Sequence, residues 1–364
     1  MTGSTSHSQP FNTLEFDAHE QITMGTDPDT GLRAFVAIHS TARGPALGGC
    51  RMVAYPDGPT AYADALRLSQ AMSYKNALAG LPHGGGKAVI WADPHTDKSP
   101  ELFHAMGRFI ATLGGRYITA GDVGISVADL DLIGETNPWT TGRSPERGGA
   151  GDSGILTAYG VWQGMRAAAA HAWGSPDLTD RVIGIAGAGK VGRRLAIHLV
   201  RDEGAQVIIT DPQPAAIESV LDEIPATVVS SIDELLNARL DIYSPNALGG
   251  ALTPAIAETL HAGIVCGGAN NQLAAPDVAD VLALRGILYA PDYLVNCGGV
   301  VQVADELLGF DMSRAKARVA GVYDTALAVF DRAAREGITP AAAAALEAQE
   351  RIAAGTVPRF DRFG

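Results

Sequence analysis

The sequence predicts an α/β protein of two domains, the second built on a doubly wound parallel sheet. Three observations predict it. The chain of 364 residues exceeds what one hydrophobic core usually supports. Short apolar runs alternate with helix-period segments along most of its length. A glycine-framed turn, Gly187-Ala188-Gly189-Lys190-Val191-Gly192, stands between a strand-like run and a helix-like one.

Composition narrows the class. An apolar share of 46% and a charged share of 18% are those of a soluble globular protein. The net charge of -13 argues against nucleic acid or an anionic membrane as partner, and no 18-residue uncharged apolar run would span a bilayer. Cys50, Cys266 and Cys297 are far apart and lack metal-ligand spacing, so no metal is expected and a reducing cytoplasm fits better than a disulfide framework. The opening MTGSTSHSQPFNT has neither a basic start nor an apolar stretch, so it reads as a polar arm rather than a signal peptide.

In the first domain, expected over residues 1–145, LRAFVAIH (Leu32 to His39) reads as a strand. Thr60 to Ala79 has helical periodicity, with Ala65, Leu66, Leu68 and Met72 on one apolar face. LPHGGGK (Leu81 to Lys87) leads into the strand AVIWA; a helix opens at Ser99-Pro100-Glu101, and RYITA (Arg116 to Ala120) is a short strand ending at Gly121-Asp122. The stretch TGRSPERGGAGDSG (Thr141 to Gly154) marks the boundary. The second domain, over 146–330, opens with a long helix, Ile155 to Ala172. Six strands follow: VIGIAG, QVIITD, ATVVS, DIYSP, IVCGGA and ILYAP. Consecutive alanine-rich helices begin near Gly298, and residues 331–364 are expected to brace the interdomain region.

The glycine turn defines a dinucleotide site. Gly187 permits the tight turn, Gly189 lets a pyrophosphate approach the backbone N–H groups of Lys190 and Val191 at the helix start, and Gly192 allows close helix–strand packing. Asp211 ends the next strand, where a carboxylate accepts from a ribose 2′-OH and repels a 2′-phosphate. Pro212 and Gln213 add no positive charge, so NAD is the expected cofactor.

Two readings stand for each of three other residues. Lys75 near the first long helix's end is a solvated lysine or an anion partner. Lys87 sits between Gly84-Gly85-Gly86 and an apolar run, where burial disfavours its charge. It is either a snorkelling lysine or a general base, which works best with a pKa of about 7–8. Asp122 caps a helix or carries its carboxylate into a cleft.

Several stretches together resemble the glutamate/leucine/phenylalanine/valine dehydrogenase family. They are HSTARGPALGGCRM (His39 to Met52), MSYKNALAGLPHGGGKAVI (Met72 to Ile90), RYITAGDVG (Arg116 to Gly124), TTGRSPERGGAGDSGILTAYGV (Thr140 to Val161), GIAGAGKVG, CGGANNQLA (Cys266 to Ala274) and YAPDYLVNCGGVVQVADELLGFD (Tyr289 to Asp311). The resemblance covers nearly the whole chain in the family's order, and within the family it is greatest to the valine-oxidising members of actinomycete type. It implies NAD-dependent, reversible oxidative deamination of an L-amino acid to a 2-oxo acid and ammonium by a homo-oligomer. It also implies roles. Lys75, with the Gly48-Gly49 backbone, would hold the substrate carboxylate. Lys87 would be the base that activates water, and Asp122 would move protons at the substrate nitrogen. Thr157 would contact the nicotinamide carboxamide; Asn270, Asn271 and Asn296 would surround ribose, nicotinamide and substrate. Of two lysines in one cleft, the one without a carboxylate partner is pushed toward neutrality, and that is expected to be Lys87.

Val300 and Val303, three apart on the helix after VNCGG, would narrow the side-chain pocket toward valine, leucine or isoleucine, or else are ordinary helix core. Phenylalanine as substrate, a hydroxy-acid dehydrogenase, and an NAD-binding protein without turnover are the alternatives. Cys50 stands where relatives often have threonine, Cys297 replaces a common alanine, and Gly121 stands where a polar or larger residue is usual. Cys297 reads as a nucleophile or, more simply, as a small buried hydrophobe.

Overall fold

The computed structural model describes residues 19–355. The N-terminal arm, the signal-peptide reading that rests on it, and residues 356–364 of the expected C-terminal segment lie outside the described residues. The chain divides into two compact units. Of the described residues, 19–77, 82–151 and 352–355 form the first; 78–81 and 152–351 form the second. The division at 151/152 falls beyond the expected 145/146, and the linker stays tied to the first unit, Arg147 donating to Glu135 Oε1 at 3.3 Å. Of the expected C-terminal segment, residues 331–351 belong to the second unit and 352–355 to the first.

The first unit runs β1 (Gln21–Asp27), β2 (Leu32–Ser40), β3 (Ala46–Val53), α1 (Gly58–Leu78), β4 (Gly84–Trp91), α2 (Pro100–Ala111), β5 (Tyr117–Gly121) and α3 (Val127–Thr136). Its sheet order is β1-β2-β4-β3-β5. β1/β2 and β2/β4 are antiparallel, and β3 is parallel to both β4 and β5. Helix α1 covers one face, setting Ala61, Ala65 and Leu66 on Ala37 and Val89. The other face packs Phe103, Met106 and Ile110 of α2 and Leu130 and Ile133 of α3 against Leu32, Ala34 and Val36. With both faces covered, β4 is buried along almost its whole length and shows no polar alternation.

Sequence patterning found β2, β5 and the second half of β4. It missed β1, whose residues alternate between half-buried and exposed at an edge, and β3, whose Gly48-Gly49 hides the strand pattern. It also placed Gly84 to Gly86 before the strand, whereas they are part of β4. The reason is α1: a Cβ on Gly85 would lie 2.0 Å from the backbone nitrogen of Ser73.

The second unit runs α4 (Gly154–Trp173), β6 (Val182–Ala186), α5 (Lys190–Ile197), β7 (Gln206–Thr210), α6 (Pro214–Leu221), β8 (Thr227–Val228), α7 (Ile232–Asn237), β9 (Ile242–Pro245), α8 (Pro254–Thr259), β10 (Ile264–Val265), α9 (Val278–Leu284), β11 (Leu288–Tyr289), α10 (Asp292–Val295), α11 (Gly298–Glu306), α12 (Met312–Ala320), α13 (Val322–Glu336) and α14 (Pro340–Ala354). Its six parallel strands are ordered β11-β10-β9-β6-β7-β8, the doubly wound arrangement that the sequence predicts. Strand order reverses between β6 and β9, the place where such sheets open a crevice for ligands. Helices α10 to α13 pack on α4. Among the described residues no helix is long and apolar enough to cross a membrane. None of their His, Cys, Asp and Glu side chains form a group that could hold a metal ion.

Candidate active site

In the first unit the chemistry gathers where β3, β4 and β5 run parallel. Lys87 projects from β4, its side chain only 5% exposed, and its ammonium contacts Oδ2 of Asp122, just past β5. Gly49 forms the floor: a Cβ there would sit 2.8 Å from Asp122 Cβ and 3.3 Å from Lys87 Nζ, so only glycine leaves room for the pair. Burial alone would push the Asp122 carboxyl up. The charges of Lys87 and Arg51, with hydrogen bonds from Lys87 and the Val123 backbone, outweigh it and hold the group at about 2.

The sequence-based expectation that Lys87 lacks a carboxylate partner is therefore wrong. Asp122 is close in space though 35 residues away in the chain, and its proximity depends on the parallel pairing of β3 with both β4 and β5. Asp122 pairs with Lys87 and Arg51 rather than capping a helix; the capping box of α3 is made by Ser126 and Asp129.

Lys75 is half-buried in the last turn of α1. The next residue, Asn76, fixes that turn by donating to Leu47 O of β3 at 3.0 Å and Gly84 O of β4 at 2.6 Å. Met72, one turn before Lys75, lies against Gly48.

Sequence reasoning missed Arg51. Its Nε donates to Asp122 Oδ2 at 2.9 Å and its Nη1 to Asp64 Oδ2 of α1 at 3.0 Å. Tyr55 OH (2.6 Å) and Arg67 (2.7 Å) complete the shell of Asp64. The one available signal was period-two spacing: Gly49 and Arg51 share a strand face.

In the second unit the glycine turn follows β6 directly. Gly187 has φ +103, and a Cβ on Gly192 would lie 1.9 Å from Gly187 O. Above Gly189 a Cβ would meet nothing within 4 Å. That open space faces the first turn of α5, whose N–H groups have no acceptor within the helix. Lys190 is exposed there. The turn fits a pyrophosphate. Asp211 Oδ2 accepts from Ala188 N–H at 2.7 Å and Oδ1 from Gln213 N–H at 2.8 Å, so this carboxylate also braces the turn.

The asparagines lie on the far side of the switch point. Asn270 and Asn271 are exposed on the loop after β10, Asn271 with φ +50. Buried Asn296 donates to Asn270 Oδ1 at 2.8 Å, and its own Oδ1 has no partner. Asn246, which the sequence reading passed over, ties the strand ends together. Its backbone N–H donates to Ala186 O of β6 (2.8 Å), its side chain to Ser244 O (2.9 Å), and its Oδ1 accepts from Gly268 N–H (2.8 Å). Thr157 lies in the first turn of α4, where its hydroxyl donates to Ser153 O at 2.9 Å. Val300 and Val303 are half-buried on α11, whereas Val301 and Ala304 between and beyond them are core.

The three departures have plain structural settings. Cys50 is buried, and burial pushes its thiol up to about 12. Cys297 is buried at the N-cap of α11. Gly121 is exposed, and a Cβ there would point to Leu130 of α3 rather than to Lys87.

A parallel doubly wound sheet with a glycine-framed turn, in a chain whose other unit buries a lysine–carboxylate pair, is the build of the pyridine-nucleotide dehydrogenases, the class to which this family belongs. The chain belongs to the glutamate/leucine/phenylalanine/valine dehydrogenase family and is an amino-acid dehydrogenase. The family's Glu/Leu/Phe/Val dehydrogenase dimerisation domain matches residues 19–138, and its Glutamate/Leucine/Phenylalanine/Valine dehydrogenase domain matches residues 215–355. A valine dehydrogenase of Streptomyces albus is 58% identical over 337 residues, 92% of each chain. A leucine dehydrogenase of Bacillus cereus is 45% identical over 94% of this chain and 93% of its own. Among solved structures, the L-tryptophan dehydrogenase of Nostoc punctiforme superposes with a TM-score of 0.82 at 37% identity, covering 93% of this chain and 96% of the other.

Proposed function

We propose that this protein catalyses the NAD-dependent, reversible oxidative deamination of a branched-chain L-amino acid, valine before leucine and isoleucine, to the 2-oxo acid and ammonium. The buried Lys87–Asp122 pair over the Gly49 floor carries the proposal. The names of the valine and leucine dehydrogenases that the chain resembles support the substrate class.

When bound, the nicotinamide supplies the hydride acceptor for the substrate Cα. Lys75 and the backbone at Gly48-Gly49 bind the substrate carboxylate, and Lys87 takes a proton from the water that attacks the imino carbon. Asp122, held ionised, passes protons to and from the substrate nitrogen. Thr157, Asn270, Asn271 and Asn296 orient nicotinamide, ribose and substrate around the switch point. NAD is favoured because the doubly hydrogen-bonded Asp211 carboxylate keeps lone pairs for a ribose hydroxyl and would repel a 2′-phosphate. Val300 and Val303, half-buried where their neighbours are core, suit a side-chain pocket for a short aliphatic group. The protein is further proposed to work as a homo-oligomer in the cytoplasm, with neither nucleic acid nor membrane as partner. Its three cysteines are buried and none is joined in a disulfide, which suits a reducing compartment.

The test is an initial-rate screen of L-amino acids with NAD and NADP, run with Lys87→Ala alongside. Valine with NAD should give the highest kcat/KM, and K87A should lose turnover by at least about a hundredfold while still binding NAD. Turnover only with NADP would overturn the Asp211 argument, and turnover only with phenylalanine would overturn the valine pocket.

A further inference from the structure

The Lys87–Asp122 pair raises a chemical difficulty. A general base must give up its proton, yet a carboxylate in contact with an ammonium stabilises the charged form. Once the ammonium is neutral, the same carboxylate also loses a partner that holds it in place. Arg51 answers both points. It reaches the same atom, Asp122 Oδ2, from the neighbouring strand, and it is a cation at every working pH. The guanidinium is fixed at its outer end by Asp64, which is itself held by Tyr55 and Arg67. The result is a chain of alternating charge, Asp64–Arg51–Asp122–Lys87, with side chains 14%, 18%, 17% and 5% exposed.

We propose that Arg51 is a positioning residue for the catalytic pair: it shares one oxygen of Asp122 with Lys87, keeping the carboxylate anchored as Lys87 takes and gives its proton. This rests on the reading of Lys87 as the base. Both cations meet on that one oxygen, so the carboxylate keeps a charged partner throughout.

The elements packed on β4 and β5 carry other charged or titratable groups. They are Cys50 on β3, Tyr117 on β5, Asp129 on α3 beside Lys98, Asp64 and Lys75 on α1, and His39 on β2 with Glu20 nearby. Burial pushes Cys50 to about 12 and Tyr117 well above its ordinary value, and it holds His39 down at about 4. None of these three titrates across the neutral range.

The test is Arg51→Gln, with Arg51→Lys and Lys87→Ala in parallel, read as pH profiles of kcat and kcat/KM on the full chain. In R51Q the acidic limb of kcat/KM should move by about half a unit or more, since one of the two cations on Asp122 Oδ2 is gone. kcat at neutral pH should fall about tenfold, with KM for the amino acid within about threefold. R51K should restore the limb but only part of kcat, because an ammonium cannot bridge two carboxylates as a guanidinium does. A folded R51Q with limb and kcat unmoved overturns the proposal. So does a fall in kcat that merely follows a loss of thermal stability and leaves the limb in place. Should R51Q not fold, R51K decides: kcat at least about fivefold lower at unchanged KM supports the proposal, and an unchanged kcat overturns it. Undiminished turnover in K87A would sink the base reading and this inference with it; an inactive K87A beside an unmoved R51Q would sink this inference alone.

Discussion

Gly49→Ala is the sharpest probe of the proposed site, because its effect can be worked from distances. The added methyl would lie 2.8 Å from Asp122 Cβ, 2.9 Å from Gly121 O and 3.3 Å from Lys87 Nζ. Carbon atoms rest about 3.5–4.0 Å apart, so Asp122 or β3 must yield by about 1 Å. Both neighbours are packed: Gly49 pairs with Ala120 across β3/β5, and Asp122 is gripped by Lys87 and Arg51. A misplacement of that size costs roughly a hundredfold in rate, and overpacking costs about 1–3 kcal/mol of stability. G49A should therefore show kcat/KM for valine down about a hundredfold and a lower melting temperature, with NAD affinity by fluorescence titration unchanged. The mutation lies in the first unit and the dinucleotide turn in the second. Near-normal kcat/KM and melting temperature in G49A would refute the close-packed floor.

Three further outcomes are expected. Gly189→Ala adds a methyl into open space and should leave the melting temperature unchanged while raising KM for NAD about tenfold; Gly192→Ala, meeting Gly187 O at 1.9 Å, should lower stability instead. The reverse pattern would refute the assignment of the turn. Val300→Ala should improve the kcat/KM ratio of phenylalanine to valine about tenfold if that side chain narrows the pocket, as initial rates will show. Acid should destabilise the fold in two windows. His39, held at about 4 by burial and by His19 against the opposing pull of Glu20, contributes stability above its ordinary 6.5 that is lost as pH falls toward 4. Asp122, its burial outweighed by Lys87 and Arg51, contributes stability above 3.8 that is lost as pH falls toward 2. Urea titrations from pH 7 to pH 2 should show a shallower loss below pH 4 in Asp122→Asn; an identical slope would remove Asp122 from the account.

Local pattern and long-range pairing divide this molecule between them. Sequence alone determined the six-strand rhythm of the second unit, the turn from Gly187 to Gly192, Asp211 at the end of β7, and the family to which the chain belongs. Each is legible because the physics is local: a strand's apolar run, a glycine's missing Cβ, a carboxylate one strand further on. Even the candidate residues Lys75, Lys87 and Asp122 could be named from motifs in order along the chain. What they touch could not. Only the tertiary structure decided that Gly84 to Gly86 lie within β4 under α1, and that Asn246 ties three strand ends at the switch point. Only it showed that Lys87 has Asp122 as partner, with Arg51 on the same oxygen. Arg51 meets Asp122 across 71 residues of chain, and Asp64 across 13 on a different element. Those contacts depend on the register of a mixed sheet, and register is a property of the assembled strands that no single segment carries.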